Sequence, residues 1–226
     1  MYKTELHCHS SEVSCCAQAD AATLARHYKE AGYRTVVLTN HFSSFTYGHL
    51  KCSDWQEWIT RFVDGYQRLR EAAPPDLTVL FGAELRLNNN PNDFLMFGVT
   101  EEFLRAHPDI FDMWIEDLHP LALENGIFIS QAHPFRNHCR ITPPDWIDAI
   151  EIFNGSAGGH YATDSRNDVA AYWAKRHNMA VTSGTDYHFP NDTVNGGICT
   201  EEPILTMEDL TRVLRSGDYR LIIDGE

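Results

Sequence analysis

The stretch Thr4-Glu5-Leu6-His7-Cys8-His9 decides the fold, because a short strand-like run ends there in two imidazoles. Runs of similar length and apolar or β-branched character recur at Thr35–Thr39, Thr78–Leu85, Phe94–Val99, Ile127–Gln131, Ala149–Phe153 and Met179–Ser183. Several of them are nearly continuous hydrophobic segments, which is typical of strands buried on both faces. With Thr4–Cys8 as the first, the sequence predicts about seven buried strands.

Helical patterns lie between most of these strands. They are predicted at Ala21–Ala31, Ser53–Ala73, Ile110–Glu124, Asp164–His177 and near Met207–Ser216, before a short last strand at Arg220–Ile223. Ser53 and Gln56 form a capping-box pattern, and Gly32 and Gly126 follow two helix ends, where a left-handed residue is usual. Strands alternating with helices predict a parallel sheet, and about seven such units usually close into a barrel. An open doubly wound sheet is the alternative.

Length and charge limit the class of protein. A chain of 226 residues, 43% of them hydrophobic, fits a single α/β domain over residues 1–226. The formal charge of −14 and the lack of a Lys/Arg cluster argue against a long nucleic acid as partner, because binding phosphates needs a basic face. Neither a transmembrane segment nor a secretory signal is evident, so we expect a cytoplasmic protein with no membrane partner. The sequence does not set its oligomeric state.

Six cysteines are present, and none of them forms a CxxC pair. A chain of this size does not need disulfides, so we expect reduced and mostly buried thiols. Cys8 should point away from the histidines on either side of it, since side chains alternate along a strand.

Potential metal ligands fall at the ends of five predicted strands. They are His7, His9, His41, Glu84, His133, Asp186 and His188. In a parallel barrel the carboxyl ends of the strands meet at one face, where active sites are built. Three or four nitrogen or oxygen donors suffice for one ion, so seven donors predict a site for at least two.

Together these motifs resemble the PHP (polymerase and histidinol phosphatase) domain family. The resemblance covers nearly the whole chain, through HCH (7–9), LTNH (38–41), GAEL (82–85), QAHPFR (131–136), EIFNG (151–155) and SGTDYH (183–188). It implies a single-domain distorted (β/α)7 barrel of TIM-like type with two or three divalent ions, which the mixed ligands allow to be Zn, Mn or Fe.

The resemblance also implies how the ligands are shared. A first ion would take His7, His9, Glu84 and Asp186. A second would take His41, His188 and one residue shortly after the HxH. A third would share Glu84 and take His133.

Three positions depart from the family pattern. Glu12 is the candidate for the residue after the HxH, with Cys15 as the alternative. Asn40 stands where many members have Asp, and we expect it to hydrogen-bond to His41 or to a bound water. No histidine is found on the fourth strand, where Asp93 is the substitute unless the third site is weak or empty.

The loop after the fifth strand carries candidate substrate-binding residues. Arg136 lies three residues after His133, and a planar guanidinium suits bidentate recognition of phosphate; a surface salt bridge is the alternative. His138 lies on the same loop. Asn154, with Glu151, ends the sixth strand and either binds substrate, orients metal ligands or forms structural hydrogen bonds.

These features predict a metal-dependent phosphoesterase, in which a metal-activated hydroxide attacks a small phosphate ester. Asp186, His188 and Arg136 are the predicted catalytic residues, and the leaving-group proton comes from solvent or from His188.

Two other functions remain open. Amidohydrolase-like enzymes that cleave C–N bonds also begin with HxH on a barrel, but they commonly use a carboxylated lysine. None of the four lysines, Lys3, Lys29, Lys51 and Lys175, ends a predicted strand. A non-catalytic, metal-binding regulatory domain is the other alternative; its metal site would be closed, without an open coordination position.

Overall fold

The computed structural model describes residues 1–158 and 165–226, and within them ten strands form one sheet. The strands are β1 Tyr2–Glu5, β2 Tyr33–Leu38, β3 His41–Phe42, β4 Thr78–Arg86, β5 Asp93–Phe97, β6 Phe128–Gln131, β7 Ala149–Asn154, β8 Ala180–Gly184, β9 Gly197–Thr200 and β10 Arg220–Ile222. All seven predicted buried strands and the predicted last strand are confirmed.

Seven α-helices are present in the described part of the chain. They are α1 Ala21–Glu30, α2 Ser44–Leu50, α3 Trp55–Ala72, α4 Glu101–Ala106, α5 Ile115–Glu124, α6 Asn167–His177 and α7 Met207–Ser216. The predicted start of one helix at Asp164 lies outside the described residues. The helix predicted from Ile110 begins instead at Ile115, after a separate 3₁₀ turn at Ile110–Asp112. No helix among the described residues is long and apolar enough to cross a membrane.

The start of α3 differs from the predicted cap by one residue. The Asp54 side chain accepts a hydrogen bond from the Glu57 amide at 2.9 Å, and the Glu57 carboxylate accepts one from the Ser53 amide at 2.8 Å. These two bonds replace the predicted Ser53–Gln56 pair, because Asp54 is the residue with extended backbone before the first helical turn. Gly32 and Gly126 have the predicted left-handed backbone, with φ of 78° and 73°.

The sheet is mixed rather than fully parallel. Its order is β10-β9-β1-β2-β4-β5-β6-β7-β8, with β3 beside β4. β5 runs antiparallel to both of its neighbours. Only residues 87–92 join β4 to β5, which is too short for the crossover of about a dozen residues that a parallel pair requires. The prediction of parallel strands is therefore wrong for β5, and the start of β5 lies at the end of the barrel where β4 finishes.

The two edges of the sheet meet and nearly close a barrel. The Ser183 hydroxyl on β8 donates to the Ile222 carbonyl on β10 and accepts from the Gly197 amide on β9. Beyond the strands, the Asp186 amide donates to the His7 carbonyl at 2.7 Å. The fold is thus the predicted single-domain distorted barrel.

Apolar residues cover both faces of the strands. On β2, Val36 and Leu38 pack with Tyr28 of α1, while the intervening Val37 packs with Leu6 on the opposite face. This alternation explains why the strands are almost continuously hydrophobic. Cys8 is fully buried in the same cluster as Tyr28 of α1, as predicted from its place between two histidines.

Candidate metal centre

Seven side chains meet at one end of the barrel, as the sequence predicts. They divide into three ligand groups, each with donor atoms within 4.8 Å of one another. The first ligand group is His7, His9 and Asp186; the second is His9, His41 and His188; the third is His7, Glu84 and His133. Apart from His41, whose side chain is 27% exposed, all of these residues are buried.

Two of the candidate ligands, His133 and Asp186, have left-handed backbone conformations. The φ angles are 27° at His133 and 55° at Asp186, and such conformations cost a non-glycine residue about 1–3 kcal/mol. Hydrogen bonds fix both turns, from the His133 amide to Glu151 Oε2 at 2.9 Å and from the Asp186 amide to the His7 carbonyl at 2.7 Å. The fold therefore holds two strained turns at the site, a pattern found where side-chain placement matters for function.

The Glu84 carboxylate lies at the centre of the cluster. Its Oε1 is 3.3 Å from both His7 Nε2 and His133 Nε2. Its Oε2 is 3.3 Å from His9 Nε2 and 2.6 Å from His41 Nδ1. One carboxylate thus contacts four imidazoles and touches every ligand group.

The spacing of these donors fits metal ions better than it fits hydrogen bonds. Nε2 of His7 and Nε2 of His9 are buried and have no hydrogen-bond partner, although Asp186 Oδ1 lies 3.3 Å from the first and 3.2 Å from the second. Four ligand atoms at about 2.0–2.1 Å from a tetrahedral ion lie about 3.3 Å from one another. The residues present therefore fit a divalent ion.

Hydrogen bonds hold a ring proton on the Nδ1 atom of two histidines. His7 Nδ1 lies 2.9 Å from Glu151 Oε1, and His188 Nδ1 lies 2.9 Å from the Asp186 carbonyl. Both oxygens only accept, so they keep a ring proton on Nδ1. Burial opposes the charged form of His7, but the carboxylates of Asp186 and Glu151 raise its pKa, so a metal ion would displace the second ring proton, from Nε2. A histidine held in this way by a carboxylate or carbonyl presents the Nε2 lone pair, as metal-ligating histidines do.

A serine orients His9 in the same manner. Ser14 Oγ donates to Asn40 Oδ1 at 2.9 Å and lies 3.3 Å from His9 Nδ1, so it accepts the ring proton there. It also accepts the His41 amide at 3.0 Å. Asn40 therefore acts on the site through Ser14, where the sequence predicted a bond to His41 or to a bound water. Ser14 carries no signal in the sequence that distinguishes it from its serine neighbours.

Glu12, which the sequence predicts as the ligand after the HxH, does not belong to any of the three ligand groups. Glu12 turns away from the cluster and accepts the Ala21 amide at 2.9 Å, at the start of α1. Cys16 lines the same cavity as His41 and His188. Burial opposes the thiolate, but hydrogen bonds from the two imidazoles lower the pKa of Cys16 to about 6. The alternative Cys15 lines the cavity nearby but is itself exposed.

Asp93 lies beside the third ligand group without completing it. Its Oδ2 is 3.8 Å from His133 Nε2, and its carboxylate pairs with the Arg86 guanidinium. The antiparallel direction of β5 places Asp93, its first residue, at this end of the barrel.

Arg136 contacts the site from its side. Its Nη2 donates to Asp186 Oδ2 at 2.7 Å and to Asn154 Oδ1 and Ser156 Oγ, both at 2.9 Å. The surface salt bridge considered from the sequence is excluded, because the partner is a buried carboxylate of the cluster. Its side chain is 20% exposed and lines the cavity, so part of this side chain faces the space a substrate would enter.

The other two predicted substrate-binding residues lie elsewhere. Asn154 is fully buried and donates to Glu151 Oε2 at 2.9 Å and to Asp186 Oδ2 at 3.2 Å. Of the three roles considered for Asn154 from the sequence, these contacts fit the orientation of the carboxylates, and Asn154 is not among the described residues that line the cavity. His138 is exposed on the loop after β6 and is not among the described residues that line the cavity.

The carboxylates keep their negative charge inside the barrel. Burial opposes ionisation, but the positive charges of His7 and Arg136 hold the pKa of Asp186 well below its usual range. Burial opposes ionisation of Glu84 too, and His41 and His7 lower its pKa. Conversely, burial and the charges of His41 and His188 lower the pKa of His9. Ionised carboxylates and a neutral imidazole are the forms that bind metals.

An open cavity of about 320 Å³ gives access to the cluster. It is lined on the ligand side by His41, His133, Asp186 and His188, and elsewhere by residues that include Cys16, Phe45, Arg86, Arg136 and Phe189. Closed structural metal sites have no such opening, so this arrangement suits the entry of a small molecule.

The sequence matches no family model and no curated protein. Solved structures match at the level of the fold. A two-domain protein from Bacteroides vulgatus that contains a predicted PHP-like metal-dependent phosphoesterase has a TM-score of 0.66 at 15% identity, covering 99% of this chain. The lesion-specific endonuclease EndoQ of Pyrococcus furiosus has a TM-score of 0.63 at 16% identity, covering 97% of this chain.

This chain spans 65% of the Bacteroides protein and 57% of EndoQ. An amidohydrolase from Chromobacterium violaceum, solved with bound sulfate and no metal, has a TM-score of 0.51 at 14% identity over 98% of both chains. At these identities the comparisons establish a PHP-like fold and leave the reaction open.

Proposed function

We propose that this chain is a metal-dependent phosphoesterase that hydrolyses small phosphate esters. The observation that carries the proposal is the position of Glu84, whose two oxygens contact four imidazoles at the open end of the barrel. A carboxylate in this position suits a centre of two or three ions, with Zn, Mn or Fe as the candidates.

Each ligand group would hold one ion. Glu84 supplements the first group and is shared with the third, while His41 and His188 belong to the second. When bound, such ions supply Lewis-acid stabilisation of a phosphoryl group and an activated water at neutral pH. His188 serves as a ligand rather than as the proton donor, since its Nδ1 proton is held by the Asp186 carbonyl. The proton for the leaving alcohol then comes from solvent.

Arg136 has two tasks in this proposal. Its Nη2 holds Asp186 in place through Oδ2, which leaves Oδ1 directed at the imidazoles. The guanidinium also binds a non-bridging phosphate oxygen of the substrate.

The cavity favours a small substrate. At about 320 Å³ it has room for a phosphate and a modest leaving group. The net charge of −14 disfavours a long nucleic acid, whose phosphates would be repelled outside the metal cluster. The likeness to EndoQ makes a nuclease the second candidate.

Substrate panels separate these functions. Purified protein is reconstituted with Zn, Mn or Fe(II) and assayed with an aryl phosphomonoester, a bis-aryl phosphodiester, an anilide and a labelled oligonucleotide. The proposal expects phosphate release from small esters that is lost in His9→Ala and Asp186→Ala, with folding retained by circular dichroism.

Cleavage of the anilide alone would establish the amidohydrolase alternative. Cleavage of the oligonucleotide alone would establish a nuclease. Bound metal without turnover of any substrate would indicate a regulatory domain.

A further inference from the structure

The three ligand groups form a row, because neighbouring groups share a histidine. His7 belongs to the first and third groups, and His9 belongs to the first and second. The centroid of the His9 ring lies 4.2 Å from that of His41 and 4.3 Å from that of His188. The row therefore has two different ends, the third group with His133 at one and the second group at the other.

Charged side chains line the cavity at the end of the third group. Arg86 and Asp93 pair with each other, and Asp93 Oδ2 lies 3.8 Å from His133 Nε2. Arg136 lies beside the first group, where it donates to Asp186 Oδ2 at 2.7 Å. An apolar group placed against these side chains would displace their water and offer no hydrogen bond in return. This end of the cavity is therefore unsuited to an apolar part of a substrate.

Aromatic side chains line the cavity at the opposite end. Phe189 directly follows His188, and the centroids of their two rings lie 6.3 Å apart. Phe45 comes four residues after His41, in the first turn of α2, and lines the same cavity although 73% of it is exposed. A single exposed apolar residue on a protein surface is ordinary. Here two aromatic residues lie in the wall of one cavity, each close in the chain to a ligand of the second group.

Hydrogen bonds fix the backbone that carries both aromatic residues. The Asp192 carboxylate accepts the Phe189 amide at 2.8 Å. The Ser43 hydroxyl accepts the Thr46 amide at 3.2 Å and so caps the turn that contains Phe45. The two aromatic residues are therefore held at this end by the fold itself.

We propose that the substrate is a phosphomonoester whose leaving alcohol carries an aromatic group, and that Phe45 and Phe189 bind this group beside the second ligand group. Offset or edge-to-face contacts between aromatic rings would hold it there. In the reaction, a water oxygen bonds to phosphorus, the bond from phosphorus to the alcohol oxygen breaks, and the alcohol takes its proton from solvent. This inference rests on the proposed phosphoesterase function and adds the class of substrate.

Three phosphomonoesters test the recognition of the ring: benzyl, cyclohexylmethyl and ethyl phosphate. Their leaving groups are all primary alcohols, so differences in kcat/KM report binding more than leaving-group acidity. For metal-reconstituted wild type we expect a KM for benzyl phosphate at least about tenfold below that for ethyl phosphate, since a bound ring removes apolar surface from water. Cyclohexylmethyl phosphate should fall between them, because it lacks the contact between aromatic rings.

Variants at Phe45 test the residue. In Phe45→Ala the ratio of kcat/KM for benzyl over ethyl phosphate should fall roughly threefold to tenfold, mainly through KM. Phe45→Tyr keeps a ring and should restore the ratio. Tyr172→Ala is the matched control, because Tyr172 is an exposed aromatic residue on α6 and is not one of the described residues that line the cavity. It should keep the wild-type ratio.

The outcomes distinguish this inference from the proposed function. A wild-type ratio in Phe45→Ala, or an equal KM of wild type for benzyl and ethyl phosphate, would overturn the aromatic site and leave the phosphoesterase intact. An equal KM for benzyl and cyclohexylmethyl phosphate would contradict recognition of an aromatic ring. Failure of wild type to hydrolyse any of the three esters would overturn both proposals.

Binding to wild type can also be measured without turnover. Benzylphosphonate and methylphosphonate carry a C–P bond in place of the ester oxygen, and their affinities for the metal-reconstituted protein are compared by calorimetry. We expect benzylphosphonate to bind more tightly; equal affinities would contradict the inference.

Discussion

Glu151→Gln isolates the contribution of a residue that contacts no metal. Glu151 Oε1 accepts the His7 ring proton, while Oε2 accepts the His133 amide and the Asn154 side-chain amide, each at 2.9 Å. All three partners donate, and a carboxylate can accept them all. A glutamine has a single oxygen, so either orientation turns its NH₂ group toward at least one donor.

Both orientations harm metal binding. An NH₂ group facing His7 removes the acceptor that keeps the ring proton on Nδ1. The proton can then move to Nε2, which no longer offers a lone pair to a metal. An NH₂ group facing His133 loosens a turn whose φ is 27°. Losing a charge-assisted hydrogen bond costs about 1.5–3 kcal/mol, which corresponds to a roughly 10–100-fold weaker metal affinity.

The assay is competition with a chromophoric chelator for Zn(II) and Mn(II). Asp148→Asn is the matched control, because Asp148 accepts the Ile129 amide at 2.7 Å just before the opposite end of β7. We expect weaker binding in Glu151→Gln at the groups that contain His7 and unchanged affinity in Asp148→Asn. Equal affinities in wild type and Glu151→Gln would refute this account of how His7 is oriented.

Three further changes test other parts of the account. Arg136→Ala should raise the activation free energy for phosphate esters by about 1–3 kcal/mol, which lowers kcat/KM in steady-state kinetics. Unchanged kinetics would show that Arg136 does not bind the substrate. Gly184→Ala should lower stability by about 1–3 kcal/mol and weaken metal binding, because an added Cβ meets His7 Cβ at 2.3 Å; normal denaturation and metal titrations would contradict this contact. Asp54→Ala should lower the free energy of unfolding by about 1 kcal/mol and Tm by about 2–4 °C without changing metal content; a matching loss of metal would show that the cap and the site are coupled.

Strand-end motifs predicted most of the site, because a barrel brings the carboxyl ends of its strands together. His7, His9, His41, Glu84, His133, Asp186 and His188 all meet as expected. The antiparallel direction of β5 was not predicted from hydrophobic patterning, which reports burial but not strand direction. Only the short connection after Arg86 carried that information.

The position of Glu12 differs from its prediction for another reason. Glu12 has the more common ligand chemistry, yet the loop uses it to accept the Ala21 amide. Which side chain of an irregular loop faces a site depends on its backbone turns, here the bonds of Gln18 and Ala19 to the His188 carbonyl, and no periodic pattern records them. The roles of Ser14 and Asn154 likewise follow from three-dimensional contacts.

Metal stoichiometry paired with turnover tests the central claim most directly. Wild-type protein is reconstituted with each candidate metal, freed of excess ions, and analysed for bound metal and for phosphate release from an aryl phosphate in the same preparation. The account predicts two or three equivalents of divalent metal per chain together with phosphate release. One equivalent or none, without turnover, would contradict it and return the buried histidines to a structural role.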